Sequence, residues 1–122
     1  PKAVEQVEAI ANVPGVDILM IGPADLSVLY GIPGEFTHPK MSAAFERVAK
    51  AAKAAGIHWG TVSPGPDHTR KLIGMGARFI CHNADILIMK RGLEAIQEQY
   101  APLGFTFDKR MLSLSQNPEK QK

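Results

Sequence analysis

Three short apolar runs, each closed by turn-forming residues and each followed by a stretch of helical spacing, limit what this chain folds into. The runs are Val16 to Ile21, Ile57 to Val62 and Ala77 to Cys81, closed by Gly22-Pro23, Pro64-Gly65-Pro66 and His82-Asn83. The first is apolar throughout except for Asp17, which predicts a strand buried on both faces. Alternation of strand and helix implies a parallel sheet joined by right-handed crossovers, an α/β fold. Three parallel strands do not close a barrel. They form either a small open sheet or three-eighths of an eight-stranded barrel, and periodicity leaves both open.

The helical stretches are read from the same spacing. Ala3, Val4, Val7, Ile10 and Ala11 predict a helix over 2–12, stopped by Pro14-Gly15. A short helical turn follows around Leu26 to Tyr30, before Gly31, Pro33 and Gly34. Met41, Phe45, Val48, Ala52 and Ala55 form one stripe of a long helix, with Pro39 at its first position, Thr37 or His38 as its cap and Gly56 at its left-handed end. A third helix spans 67–75. Asn83 caps a fourth, in which Ile86, Met89, Leu93, Ile96 and Tyr100 form the expected buried stripe, ended by Pro102-Leu103-Gly104. Two regions are expected: 1–107, carrying these elements, and a loosely held tail, 108–122, with few apolar anchors.

Composition narrows the function classes. At 122 residues and 45% hydrophobic content, the chain holds one ordinary domain. A net charge of +2, with no basic cluster interleaved with aromatics, argues against nucleic-acid binding. The lysines and arginine of the tail, Lys109, Arg110, Lys120 and Lys122, read as a solvated terminus. No apolar stretch nears the ~20 residues that span a bilayer, so no membrane partner is expected. The single cysteine, Cys81, excludes an internal disulfide and suits the reducing cytoplasm; its apolar neighbours predict a buried, inert thiol. Pro1 to Ala11 is amphipathic, unlike a signal peptide, and a chain that opens in mid-helix pattern is expected to be a fragment.

The segment Met20-Ile21-Gly22-Pro23-Ala24-Asp25-Leu26-Ser27 sits at the C-terminal end of the first strand, where barrels and open α/β sheets place ligands. Gly22 allows close approach of the backbone, and Pro23 stiffens the turn. Amides of Ala24 and Asp25 are placed to meet an anionic group. Asp25 adds a hard oxygen donor suited to Mg²⁺ or Mn²⁺. On the loop alone, capping of the helical turn by Asp25 is the better account.

The wider pattern reverses that preference. The run PGVDILMIGPADLSVLYG resembles the HpcH/HpaI aldolase family, also called aldolase/citrate lyase, whose signature strand ends in GPADLS. The likeness continues through Ala54-Ala55-Gly56, Trp59-Gly60-Thr61-Val62, Leu72 to Phe79 and Asp85, covering residues 1 to about 100. It implies the C-terminal part of a TIM (β/α)₈ barrel, about three strand–helix units. It implies a metal-dependent pyruvate-type aldolase that cleaves 4-hydroxy-2-keto acids to pyruvate and an aldehyde. Asp25 then matches a metal ligand, with Mg²⁺ or Mn²⁺ foremost and Co²⁺ or Zn²⁺ as alternatives, and Gly22, Pro23 and Ala24 match the binding site for the substrate carboxylate. The resemblance also implies a homo-oligomer for the intact protein. The family's glutamate ligand, catalytic arginine and catalytic histidine lie upstream of Pro1, so this chain is expected to be inactive alone.

Three positions depart from the family pattern. Met20 stands where phenylalanine is frequent, and His82-Asn83 replaces an apolar residue and a glycine. His82 reads as a surface or satisfied histidine in preference to one that enters the active-site mouth, and Asn83 tolerates the left-handed turn. Ser63, Asp67 and His68 lie close in sequence, but no nucleophile elbow surrounds Ser63. Gly74-Met75-Gly76 follows a helix, not a strand, and is no dinucleotide fingerprint. A flavodoxin-like binding or regulatory module is the alternative function, and it requires about five strands.

Overall fold

The computed structural model describes residues 1–107; the expected tail, 108–122, lies outside them. The described residues fall into two compact units, Pro1–Asn83 and a second that begins at Ala84. In the first unit the elements run α1 (Lys2–Glu5), α2 (Val7–Ala11), β1 (Ile18–Ile21), α3 (Pro23–Leu29), α4 (Pro39–Ala55), β2 (His58–Ser63), α5 (Pro66–Gly74) and β3 (Phe79–His82). The single helix expected over 2–12 is two, because Gln6 leaves helical geometry at φ −110°.

The strands form one parallel sheet in the order β1-β2-β3. Register partners share a face, so Leu19 and Trp59 point one way, as do Ile21, Thr61 and Ile80. Met20, Gly60 and Phe79 point the other. Helices α2, α4 and α5 cover only the first face. There Leu19, Ile21 and Trp59 join Met41, Phe45, Val48, Ala52 and Leu72 in the core, with the Phe45 and Trp59 rings 6.3 Å apart. On the other face Ile18, Met20 and Phe79 remain 40–51% exposed. The expectation that the first strand is buried on both faces is therefore corrected. A parallel strand is buried on both sides only to the extent that both sides find cover, and here one does.

Gly60 has a specific reason to be glycine. A Cβ at this position would collide with the Phe79 carbonyl and Cβ, so the close approach of β3 to β2 requires its absence. Cys81, expected buried, is half-buried, because Val62↔Cys81 falls on the uncovered face.

Helix α4 forms as its spacing predicts. The His38 ring accepts from the Lys40 amide at 3.1 Å, Pro39 occupies the first turn, and Gly56 closes the helix at φ 68°. Its stripe is buried from Met41 to Ala52. A bidentate ion pair between Arg47 and Glu8, both contacts 3.0 Å, ties α4 to α2. That contact holds the Glu8 carboxyl below its usual range.

The second unit contains α6 (Asp85–Tyr100) and a 3₁₀ turn, Ala101–Leu103. Ala84, not Asn83, occupies the cap position of α6; Asn83 instead takes the left-handed conformation at φ 66° that ends β3. The stripe Ile86, Met89, Leu93, Ile96 and Tyr100 is present but not buried, at 47–71% exposure. Its spacing is that of a helix made to be covered.

Candidate functional site

In a parallel sheet all strands end on the same edge, and the GPADLS segment leaves β1 there. Gly22 is extended (φ −89°, ψ 96°) and is the N-cap of α3; its carbonyl accepts from the Leu26 amide at 3.0 Å. Pro23 at the first helical position has no N–H to satisfy. The amides of Ala24 and Asp25 precede the first intrahelical bond and so lack a helical acceptor. They are the two donors expected to meet an anionic ligand.

Asp25 is the third residue of α3, and no side chain caps this helix. Its carboxylate folds back over the end of the strand: a Cβ on Gly22 would stand 3.4 Å from Asp25 Oδ2. It is exposed, with no hydrogen bond or ion pair among the described residues. Beside it runs a groove of about 510 Å³ along the outer edge of β1, walled by Val4, Val7, Ile10, Met20 and Leu29. Asp25 is the only charged side chain lining that groove. Gly22 and Ala24 are exposed next to it, whereas Pro23 is buried at the first position of the helix.

Two buried hydroxyls place this loop, and neither was singled out by the sequence reading. Ser27, fully buried, donates to the Ala24 carbonyl at 2.7 Å and accepts from the Gly34 amide at 3.0 Å, joining the start of α3 to the loop after it. Thr61 on β2 donates to the Ile21 carbonyl at 2.9 Å, one residue before Gly22. Ser27 was visible as the last residue of GPADLS. Thr61 was visible only as a polar residue inside an apolar run.

As a cation site, Asp25 fits one position. Mg²⁺ takes one or two carboxylates and fills its remaining positions with water and substrate oxygens, so a single hard oxygen donor in an open groove suits it. Among the described residues no group of three or more His, Cys, Asp or Glu side chains gathers to hold a metal.

No histidine lines the groove beside Asp25. His38 caps α4, and exposed His58 opens β2 at the opposite edge of the sheet. His68 packs edge-on against Phe45, and burial, followed by the charge of Lys71, holds its imidazole below the usual range. His82 ends β3, with Nδ1 2.9 Å from the Ser63 carbonyl. A carbonyl only accepts, so Nδ1 carries the proton in that contact.

The cluster Ser63, Asp67 and His68 makes no triad. Ser63 Oγ donates to the Gly65 carbonyl and accepts from Thr69, while Asp67 pairs with Arg70 at 2.8 Å.

Residues 1–89 match the family model described as HpcH/HpaI aldolase/citrate lyase. Over 100 residues the chain is 37% identical to a pyruvate aldolase of Rhizobium etli, covering 82% of this chain and 39% of that protein. It is 38% identical over 98 residues to a hydroxypyruvate/pyruvate aldolase of Paraburkholderia phytofirmans, covering 80% of this chain and 38% of that protein. The crystal structure of an HpcH/HpaI aldolase from Desulfitobacterium hafniense superposes with a TM-score of 0.69 at 31% identity, covering 80% of this chain and 39% of that one. The chain thus spans about two fifths of the length of the relatives it matches. No helix among the described residues is long and apolar enough to cross a membrane. The flavodoxin-like alternative is not favoured, since the described residues form three strands where it needs about five.

Proposed function

This chain belongs to the HpcH/HpaI aldolase/citrate lyase family, and from that premise we propose that it forms the last three strand–helix units of a (β/α)₈ pyruvate-type aldolase. The reaction is cleavage of a 4-hydroxy-2-keto acid to pyruvate and an aldehyde. One observation carries the assignment of the site. Asp25, at the ligand-binding end of β1, presents a carboxylate with no protein partner among the described residues, in a groove otherwise lined by uncharged side chains.

In this reading Asp25 holds a divalent cation, Mg²⁺ or Mn²⁺ before Co²⁺ or Zn²⁺, which when bound supplies Lewis-acid polarisation of the keto acid. The Ala24 and Asp25 amides hold the substrate carboxylate, and Gly22 admits it because no side chain stands in the way. The Ser27 and Thr61 hydroxyls keep these donors fixed, so the loop does not have to be ordered when substrate arrives. Met20 points to the uncovered face beside the turn and shapes the pocket on the substrate side. The base that accepts the hydroxyl proton of the substrate comes from outside this chain, so the 122 residues alone release no pyruvate.

The test uses the full-length protein, a 4-hydroxy-2-keto acid and Mg²⁺ or Mn²⁺, with pyruvate release as the readout. Asp25→Asn is expected to lower kcat/KM by more than about 100-fold, beyond the change typical of residues that merely support a ligand, with an unchanged circular dichroism spectrum. Near-wild-type turnover in that variant would return Asp25 to a purely local role in α3.

A further inference from the structure

We propose that the opposite edge of the sheet carries a separate binding pocket for a small multivalent oxyanion, independent of the reading of Asp25. A hollow of about 520 Å³ lies where α4 ends and β2 and β3 begin. Lys50 and Lys53 on α4, His58 and Trp59 on β2, and Gly76 and Arg78 before β3 line it. Three of these side chains are permanent cations, and the lining contains no carboxylate. None of the three forms an ion pair among the described residues. Glu8, which shares a field with Lys50, is already held by Arg47.

The second observation is a buried donor without an acceptor. Trp59 is 2% exposed, and its Nε1 has no hydrogen-bond partner. Buried polar atoms are nearly always paired, and an orphan marks a place where a water or ligand belongs. The buried Nε1 lies just behind the lining: a Cβ on Gly76 would stand 3.9 Å from it, and Gly76 is part of the lining. Gly76 has φ +90°, a conformation that favours glycine, so this wall stays free of a side chain. The Arg78 amide donates to the Trp59 carbonyl at 2.9 Å, which fixes the base of the guanidinium beside the indole. One neutral N–H donor behind a hollow lined by three cationic side chains suits an anion with several oxygens close together, as in a phosphate group or a dicarboxylate. β2 spans roughly 16 Å from His58 to Ser63, which keeps this pocket well away from the Asp25 edge.

Trp59 is the only tryptophan of this chain and reports on the pocket directly. Inorganic phosphate, and in a second arm succinate, is titrated into the full-length protein at ionic strength held constant with chloride, so that screening is the same throughout. The signal is the fluorescence difference between wild type and Trp59→Phe. A saturable change is expected with at least one of the two, and the arm that saturates more tightly identifies the source of the oxygens. The double variant Lys53→Ala/Arg78→Ala, altered only at exposed side chains, should bind roughly tenfold or more weakly. Lys50→Gln should show a smaller loss in the same direction, and Asp25→Asn should bind as wild type. A response that never saturates, equal binding by the double variant, or loss of binding in Asp25→Asn would overturn the proposal.

Discussion

Helices α4 and α6 carry apolar stripes of similar spacing and meet opposite fates. In α4, Met41, Phe45 and Val48 are buried against β1, β2 and α2; in α6, no residue is buried. The two faces of the sheet repeat the contrast, with Leu19 and Trp59 in the core and Met20 and Phe79 exposed. Spacing tells that a surface is built to be covered. It does not tell whether the cover lies in the same stretch of chain. Both uncovered surfaces fall in a polypeptide that spans about two fifths of its relatives, which is where missing cover is expected if the sheet is part of a closed barrel.

The largest effect expected from this contrast is at the covered stripe. Phe45→Ala should cost about 3–5 kcal/mol in urea unfolding of the chain, because it empties a packed site next to Trp59. A cost below about 1 kcal/mol would mean that this core is not packed as described. On the uncovered face, Gly60→Ala should still cost about 1–3 kcal/mol, since the collision is with the backbone of Phe79 and does not depend on cover. Thr61→Val should cost about 1 kcal/mol by leaving the Ile21 carbonyl without its donor. If this turn holds the substrate carboxylate as proposed, the same change in the full-length protein should raise KM more than it lowers kcat.

The pH dependence separates the covered side in another way. Burial holds His68 below its ordinary pKa of 6.5. The unfolded chain therefore takes up the proton first. The stability contribution is whole above about pH 6.5 and is lost as pH falls through the folded-state value. His68→Gln should flatten that part of the stability profile; an unchanged slope would show that His68 is hydrated in the fold. The smallest effect is assigned to the bare stripe. Leu93→Ala should change the stability of the 122-residue chain by no more than about 0.5 kcal/mol, and a loss of several times that would show that α6 has found a partner surface in solution.

Much of the fold was legible in the sequence because local rules decide it. Pro39, the His38 cap and Gly56 bound α4 where spacing placed it, and the three apolar runs became the three strands. What the runs concealed was sidedness. Val16 to Ile21 reads as continuously apolar, yet only alternate residues found cover, and that depends on elements remote in sequence. The first helix split at Gln6, which no breaker residue announced. At the candidate site Gly22, Pro23, Ala24 and Asp25 were legible from residue type and position at a strand end. The hydroxyls of Ser27 and Thr61 were not, because their partners, Gly34 and Ile21, lie 7 and 40 residues away in the chain.

The central claim is that the unpartnered Asp25 carboxylate is a cation ligand. It is tested most directly by titrating Mn²⁺ into the full-length protein and its Asp25→Asn variant, following the loss of the free-ion electron paramagnetic resonance signal without any substrate. Saturable binding by the wild type that disappears in the variant, with both proteins equally folded, is the predicted result. Equal Mn²⁺ binding by the two proteins would contradict it.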